Sequence, residues 1–168
     1  MTKPYLICGL ELLLLLVSVS GIVLPEHNCS DYFTYGIEDG NYIGLFTAPK
    51  AGLHRISWNV TFLWHGSITE NPVASLEHYP NRMEAIHNIN SGRRAQLIAR
   101  FKNISEELPK LVDLQINNET LCSNPGWGFK VTSTRGIGAT KLITHIDNSR
   151  REVIPVLPTI VPRRRVKF

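Results

Sequence analysis

The chain is 168 residues long with a formal net charge of +4, which is enough for one small domain and too short for several. The charge is uneven: residues 21–122 hold eight Lys/Arg against eleven Asp/Glu, a net −3, and residues 123–168 hold nine against two, a net +7. The basicity therefore belongs to one end of the chain, which excludes a nucleic-acid-binding role read from its overall charge.

Residues 1–21 read as a secretory signal peptide. Lys3 supplies the positive start, Leu12 to Val17 is an unbroken apolar run, and Ser18-Val19-Ser20-Gly21 offers the small residues of a cleavage site. Glu11 interrupts the apolar segment, whereas a spanning helix needs about 20 predominantly apolar residues. Cleavage is expected, leaving a secreted, extracellular product with no stable membrane span.

From Asn28 the pattern is mainly β. Asp31 to Ile37 and Tyr42 to Ala48 flank Glu38-Asp39-Gly40-Asn41, where Asp-Gly is a hairpin-turn signal. Leu53 to Phe62 predicts the strongest strand, since Ile56, Trp58, Val60 and Phe62 alternate with Ser57, Asn59 and Thr61. Pro72 to Glu77 predicts another. Asn81-Arg82-Met83-Glu84 then predicts a capped helix start and Gly92 its stop, with Met83, Ile86 and Ile89 as the buried edge. Ala95, Leu97, Ala99 and Phe101 alternate with Gln96, Ile98, Arg100 and Lys102, which predicts a half-buried strand. Leu111 to Ile116 and Thr120 to Cys122 read as a hairpin turning at Asn117-Asn118. Beyond it, Ile154-Pro-Val-Leu-Pro-Thr-Ile-Val-Pro162 spaces prolines through apolar residues, as an extended linker does.

The expected architecture is a single disulfide-pinned β-sandwich with one short helix, mainly β, followed by a disordered basic tail. The expected boundaries are 1–21 for the signal, 28–123 for the β domain and 124–168 for a Pro/Thr/Arg-rich linker or tail. Signal cleavage removes Cys8 and leaves Cys29 and Cys122. In an oxidising compartment two cysteines read first as one intrachain disulfide pinning the first strand to the last, with an interchain bond as the alternative.

Four N-x-[ST] sequons, at Asn28, Asn59, Asn103 and Asn118, are acceptor sites for N-glycosylation in a secreted chain. The strand phase puts Asn59 on the face away from the apolar residues. Catalytic signatures are lacking. His27, His54, His65, His78, His87 and His145 are scattered without metal-ligand spacing, and no serine lies in Gly-x-Ser-x-Gly or Gly-Asp-Ser-Gly. No metal and no cofactor is expected. In the tail, Arg150, Arg151, Arg163, Arg164, Arg165 and Lys167 suit either a sulfated polysaccharide or dibasic processing by a trypsin-like protease. Arg93, Arg94, Arg100 and Lys102 form a second charged flank, a candidate contact region.

Several ordered fragments carry a resemblance. Cys29-Ser-Asp-Tyr-Phe33, Gly40-Asn-Tyr-Ile-Gly44, Arg82-Met-Glu-Ala-Ile-His-Asn-Ile-Asn-Ser-Gly92 with Arg93-Arg94, Ala99-Arg-Phe101, Leu108-Pro-Lys-Leu111 and Leu114-Gln-Ile-Asn-Asn-Glu-Thr-Leu-Cys122 resemble the N-terminal domain of gastrulation-defective-type insect serine proteases. The resemblance covers essentially the whole Cys29–Cys122 unit and implies that these two cysteines form the family's disulfide. In that family the domain precedes a trypsin-like catalytic domain acting in extracellular proteolytic cascades. Here no Ala-Ala-His-Cys and no Gly-Asp-Ser-Gly-Gly follows, so no catalytic residue carries over. The expectation is a secreted, non-catalytic interaction module whose partner is an extracellular protein, such as a serine protease or another cascade component. The alternative is a truncated form of a serine endopeptidase whose catalytic domain is not in this chain.

Overall fold

The computed structural model describes residues 21–66, 70–127 and 136–147. In chain order these form β1 (Phe33–Glu38), β2 (Asn41–Thr47), β3 (Arg55–His65), β4 (Val73–His78), α1 (Arg82–Asn90), β5 (Gln96–Phe101), β6 (Lys110–Ile116), β7 (Glu119–Ser123) and β8 (Ile137–Asp147). They build two antiparallel four-stranded sheets, ordered β1-β2-β5-β4 and β7-β6-β3-β8.

Both predicted hairpin turns are present, and local backbone chemistry explains them. Asp39 (φ 50°) and Gly40 (φ 77°) take the two positive-φ positions between the paired Glu38 and Asn41, as a turn of matching twist requires. Asn117 (φ 52°) and Asn118 (φ 66°) do the same between Ile116 and Glu119, using the tolerance of asparagine for the left-handed region. Asn117 also laces this turn to β3. Its side-chain oxygen accepts the Ser57 N–H at 2.8 Å, and its amide nitrogen donates to the Arg55 carbonyl at 3.2 Å.

The core lies between the sheets. Trp58, Val60 and Phe62 of β3 have no exposed surface, nor do Phe46, Leu97 and Ala99 facing them or Leu111 and Leu114 of β6. Ring pairs pack within and across the layers: Phe33 and Phe46, partners in one sheet, lie 4.9 Å apart, and Phe62 of the other sheet meets Phe101 edge-on at 5.5 Å. Such pairs add about 0.5–1.5 kcal/mol beyond the burial of their area. Gly44 is needed beneath these rings, because a Cβ there would stand 2.7 Å from the Phe33 ring and 3.1 Å from Phe101.

Tyr35 ties β1 to the opposite layer. Its hydroxyl donates to the Pro109 carbonyl at 2.7 Å and receives the Leu111 N–H at 3.4 Å. Burial pushes the phenol well above its ordinary pKa, partly offset by the Leu111 bond. Tyr35→Phe is expected to cost about 1–3 kcal/mol, the range for leaving buried polar partners unsatisfied. Urea denaturation of the two proteins checks this, and a loss below about 0.5 kcal/mol, under the typical net value of one hydrogen bond, would contradict it.

Four readings of the sequence need correction. First, the domain does not stop at residue 123. β8 pairs with β3 through eleven consecutive positions, from Arg55↔Asp147 to His65↔Ile137, inside the stretch read as linker or tail. Its apolar residues fall on both faces, Leu142 and Ile146 inward and Ile137 and Ile143 outward, so the period-two signal cancels. Second, Cys29 precedes β1 and Cys122 lies in β7, the penultimate strand, so the disulfide does not join the first strand to the last.

Third, the helix buries Ala85 and Ile89, while Met83 is 65% exposed. A strict three-residue spacing drifts around a 3.6-residue helix, and the i, i+4 pair holds the face instead. The predicted cap is as expected, with Asn81 accepting the Glu84 N–H at 3.0 Å. Fourth, Ile98 is buried despite its polar phase. β5 is an interior strand, with Leu45 of β2 and Glu77 of β4 directly beside Ile98.

Candidate functional site

The disulfide is the best-defined sequence-predicted site. Cys29 and Cys122 are bonded across 93 residues with Cα atoms 5.6 Å apart, so the bond staples the β1 side of one sheet to the outer strand of the other. The turn ahead of β1 fixes Cys29, whose carbonyl accepts the N–H groups of Tyr32 and Phe33. Asn124 completes the junction, though the sequence reading left it in the tail. Its Nδ2 donates to the Leu111 carbonyl at 2.9 Å and to Cys29 Sγ at 3.2 Å, while its Oδ1 accepts the Asn28 N–H at 2.8 Å. Asn124 is the buried polar residue of the described region, and these bonds satisfy it.

The sequons occupy different environments. Asn103 and Asn118 are exposed on positive-φ turns. Asn28 is exposed and adjoins the disulfide. Asn59 is half-buried in the middle of β3, with its Nδ2 donating to Gln115 Oε1 at 3.1 Å. Arg150, Arg151, Arg163, Arg164, Arg165 and Lys167 lie outside the described residues, as does nearly all of the proposed signal.

The charged flank does not form one patch. Arg93 and Arg94 precede β5, and Lys102 follows it at the other end. Arg100 reaches Glu38 at 2.8 Å and Glu77 at 3.2 Å, and the hydrogen bond to Glu38 raises its pKa most. Its charge is thus committed within the sheet. Arg93 bonds to Asn88 at 3.2 Å.

One cluster escaped sequence reasoning. His65, at the end of β3, lies 3.0 Å from Glu107 and stacks on Trp127 with ring centroids 3.9 Å apart. Trp64, His65, Glu70, Ser105 and Glu107 line a cleft of about 310 Å³. No spacing motif signals this, because the partners lie on separate loops. The arrangement is a base–carboxylate pair, and no hydrogen bond joins it to Ser105 among the described residues. His27 and His78 each have a lowered pKa, from burial in both cases and from nearby Arg82 for His78. Among the described residues no group of three His, Cys, Asp or Glu is placed to hold a metal, and no helix is long and apolar enough to cross a membrane.

Val23, Leu24 and Ile37 are each more than half exposed. Val23 is held by a parallel bridge to Glu107, with its N–H donating to Glu106 and its carbonyl accepting from Leu108.

No curated protein and no solved structure gives a significant match. A family described as "Serine protease gd N-terminus" matches residues 27–132. That stretch contains both cysteines, the helix and β1 to β7, and it ends before β8 begins. The chain belongs to the serine protease gd N-terminus family.

Proposed function

We propose that the chain is a secreted, glycosylated, non-catalytic module that binds an extracellular protein of a proteolytic cascade. The observation that carries this reading is the family match over a disulfide-stapled sandwich, a bond type that persists in oxidising compartments. The signal-like start and the four sequons support the same route. The partner is a serine protease or another cascade component. A sulfated glycan is the second ligand, drawn by the basic run of Arg163, Arg164, Arg165 and Lys167 through contacts that salt screens.

The test uses the full chain purified from the medium of a secreting host. It is expected to bind a cascade protein or a sulfated glycan in surface-plasmon-resonance titrations and to leave arginyl ester and amide substrates intact. Measurable turnover, or no binding to either class, contradicts the proposal. The family's place at the front of serine proteases also favours a second reading, in which the chain is part of a serine endopeptidase. Full-length transcript sequencing separates the two. A reading frame continuing into a trypsin-like domain supports the second, and a stop codon after Phe168 removes it.

A further inference from the structure

We propose that Asn59 carries an N-linked glycan whose first sugar lies over Ile143, closing the outer face of the β7-β6-β3-β8 sheet to protein partners. The proposal rests on the secretory reading above and adds to it a specific position and consequence. Trp58, Val60 and Phe62 are fully buried, so the alternation of β3 turns Asn59 and Thr61 outward. Register sets Asn59 directly between Gln115 of β6 and Ile143 of β8. Side chains so opposed have Cβ atoms about 4.5–5.5 Å apart.

Ile143 is 59% exposed and is the exposed large hydrophobic of this sheet. Its surroundings on this face are Ser57, Asn59, Thr61, Asp113, Gln115 and Lys141, with the apolar Leu63, Ala139 and Ile137 further along the ladder. A sugar linked to the neighbouring asparagine has an apolar ring face at the right distance to cover it. The amide chemistry fits. Asn59 Nδ2 carries two hydrogens, and the bond to Gln115 uses one. In the transfer, the sugar's C1–O bond to a lipid-linked pyrophosphate donor breaks, C1–Nδ2 forms, and the other amide proton leaves. Asn59 Oδ1 is buried without a protein partner, and the sugar brings hydroxyl and acetamide donors beside it. Transfer acts on the extended chain, before β6 and β8 flank β3.

Occupancy is read on the full chain secreted from a eukaryotic host, by enzymatic glycan release in ¹⁸O-water and peptide mapping. An ¹⁸O-labelled aspartate at position 59 is expected. The variant T61V removes the sequon while leaving Asn59 and its bond to Gln115 in place. It should lose one glycan by gel mobility and bind more of a hydrophobic dye than the wild type. T61V/I143K should lose the same glycan and return to wild-type dye binding. An N59Q variant repeats the comparison if T61V is poorly secreted. Glycans at Asn103 and Asn118 with Asn59 bare would overturn this inference while leaving the secretory reading intact, and bare asparagines at every sequon would overturn both. Unchanged dye binding in T61V would overturn the covering of Ile143.

Discussion

Replacing both cysteines, C29S/C122S, is expected to lower the unfolding free energy by about 2–5 kcal/mol, the usual loss on removing a native disulfide from a small secreted domain. The bond spans 93 residues and so encloses β1 through β6 and most of β7. Without it the unfolded chain regains the freedom that the closed loop withheld. The native state also loses the sulfur that receives the Asn124 Nδ2–H. Cys29 is buried, so two serine hydroxyls facing each other there need new partners. Urea denaturation with and without reductant measures the effect, and a loss below about 1 kcal/mol contradicts it. Non-reducing electrophoresis separates the intrachain bond from the interchain alternative. The wild type should run as a monomer, and C29S alone should form dimers through the stranded Cys122.

The parts of this fold legible in the sequence are those where one side chain suits one environment. Ile56, Trp58, Val60 and Phe62 sit on one face of a single strand, and all four are buried. Asp39-Gly40 specifies its turn through backbone conformation alone. The pairing of Cys29 with Cys122 is legible as the first of two readings because the third cysteine, Cys8, lies in the segment read as a signal.

What stayed illegible depends on neighbours distant in sequence. Ile98 looks outward until Leu45 and Glu77 flank it. Asn124 reads as linker until its side chain meets Asn28, Cys29 and Leu111. His65 reads as a stray histidine, and only the chain's return brings Glu107 and Trp127 onto it. The charged flank shows the reverse error: Arg100 is basic in the sequence, but Glu38 and Glu77 take up its charge.

The last strand carries the second large expected effect. A chain ending at residue 132, where the family match stops, should not be recovered as a stable monomer, whereas one ending at residue 147 should. Without β8, β3 becomes an eleven-residue edge strand with a full row of unpaired N–H and C=O groups, the template that drives edge-to-edge aggregation. Core contacts from Leu142 and Ile146 also disappear. A single substitution tests the same packing without shortening the chain. At Gly138, opposite Trp64 in the ladder, a Cβ would fall within the Trp64 indole. Trp64 is itself 6% exposed and cannot swing into solvent without uncovering core. Gly138→Val should therefore cost about 1–3 kcal/mol by overpacking, and Ala139→Val, one residue along on the outer face, should cost far less. Thermal melts and size-exclusion profiles of the two truncations and two variants decide it. Equal stability of the chains ending at 132 and 147 would show that β8 is an adornment of this sheet, and the family's boundary would then be the domain's own.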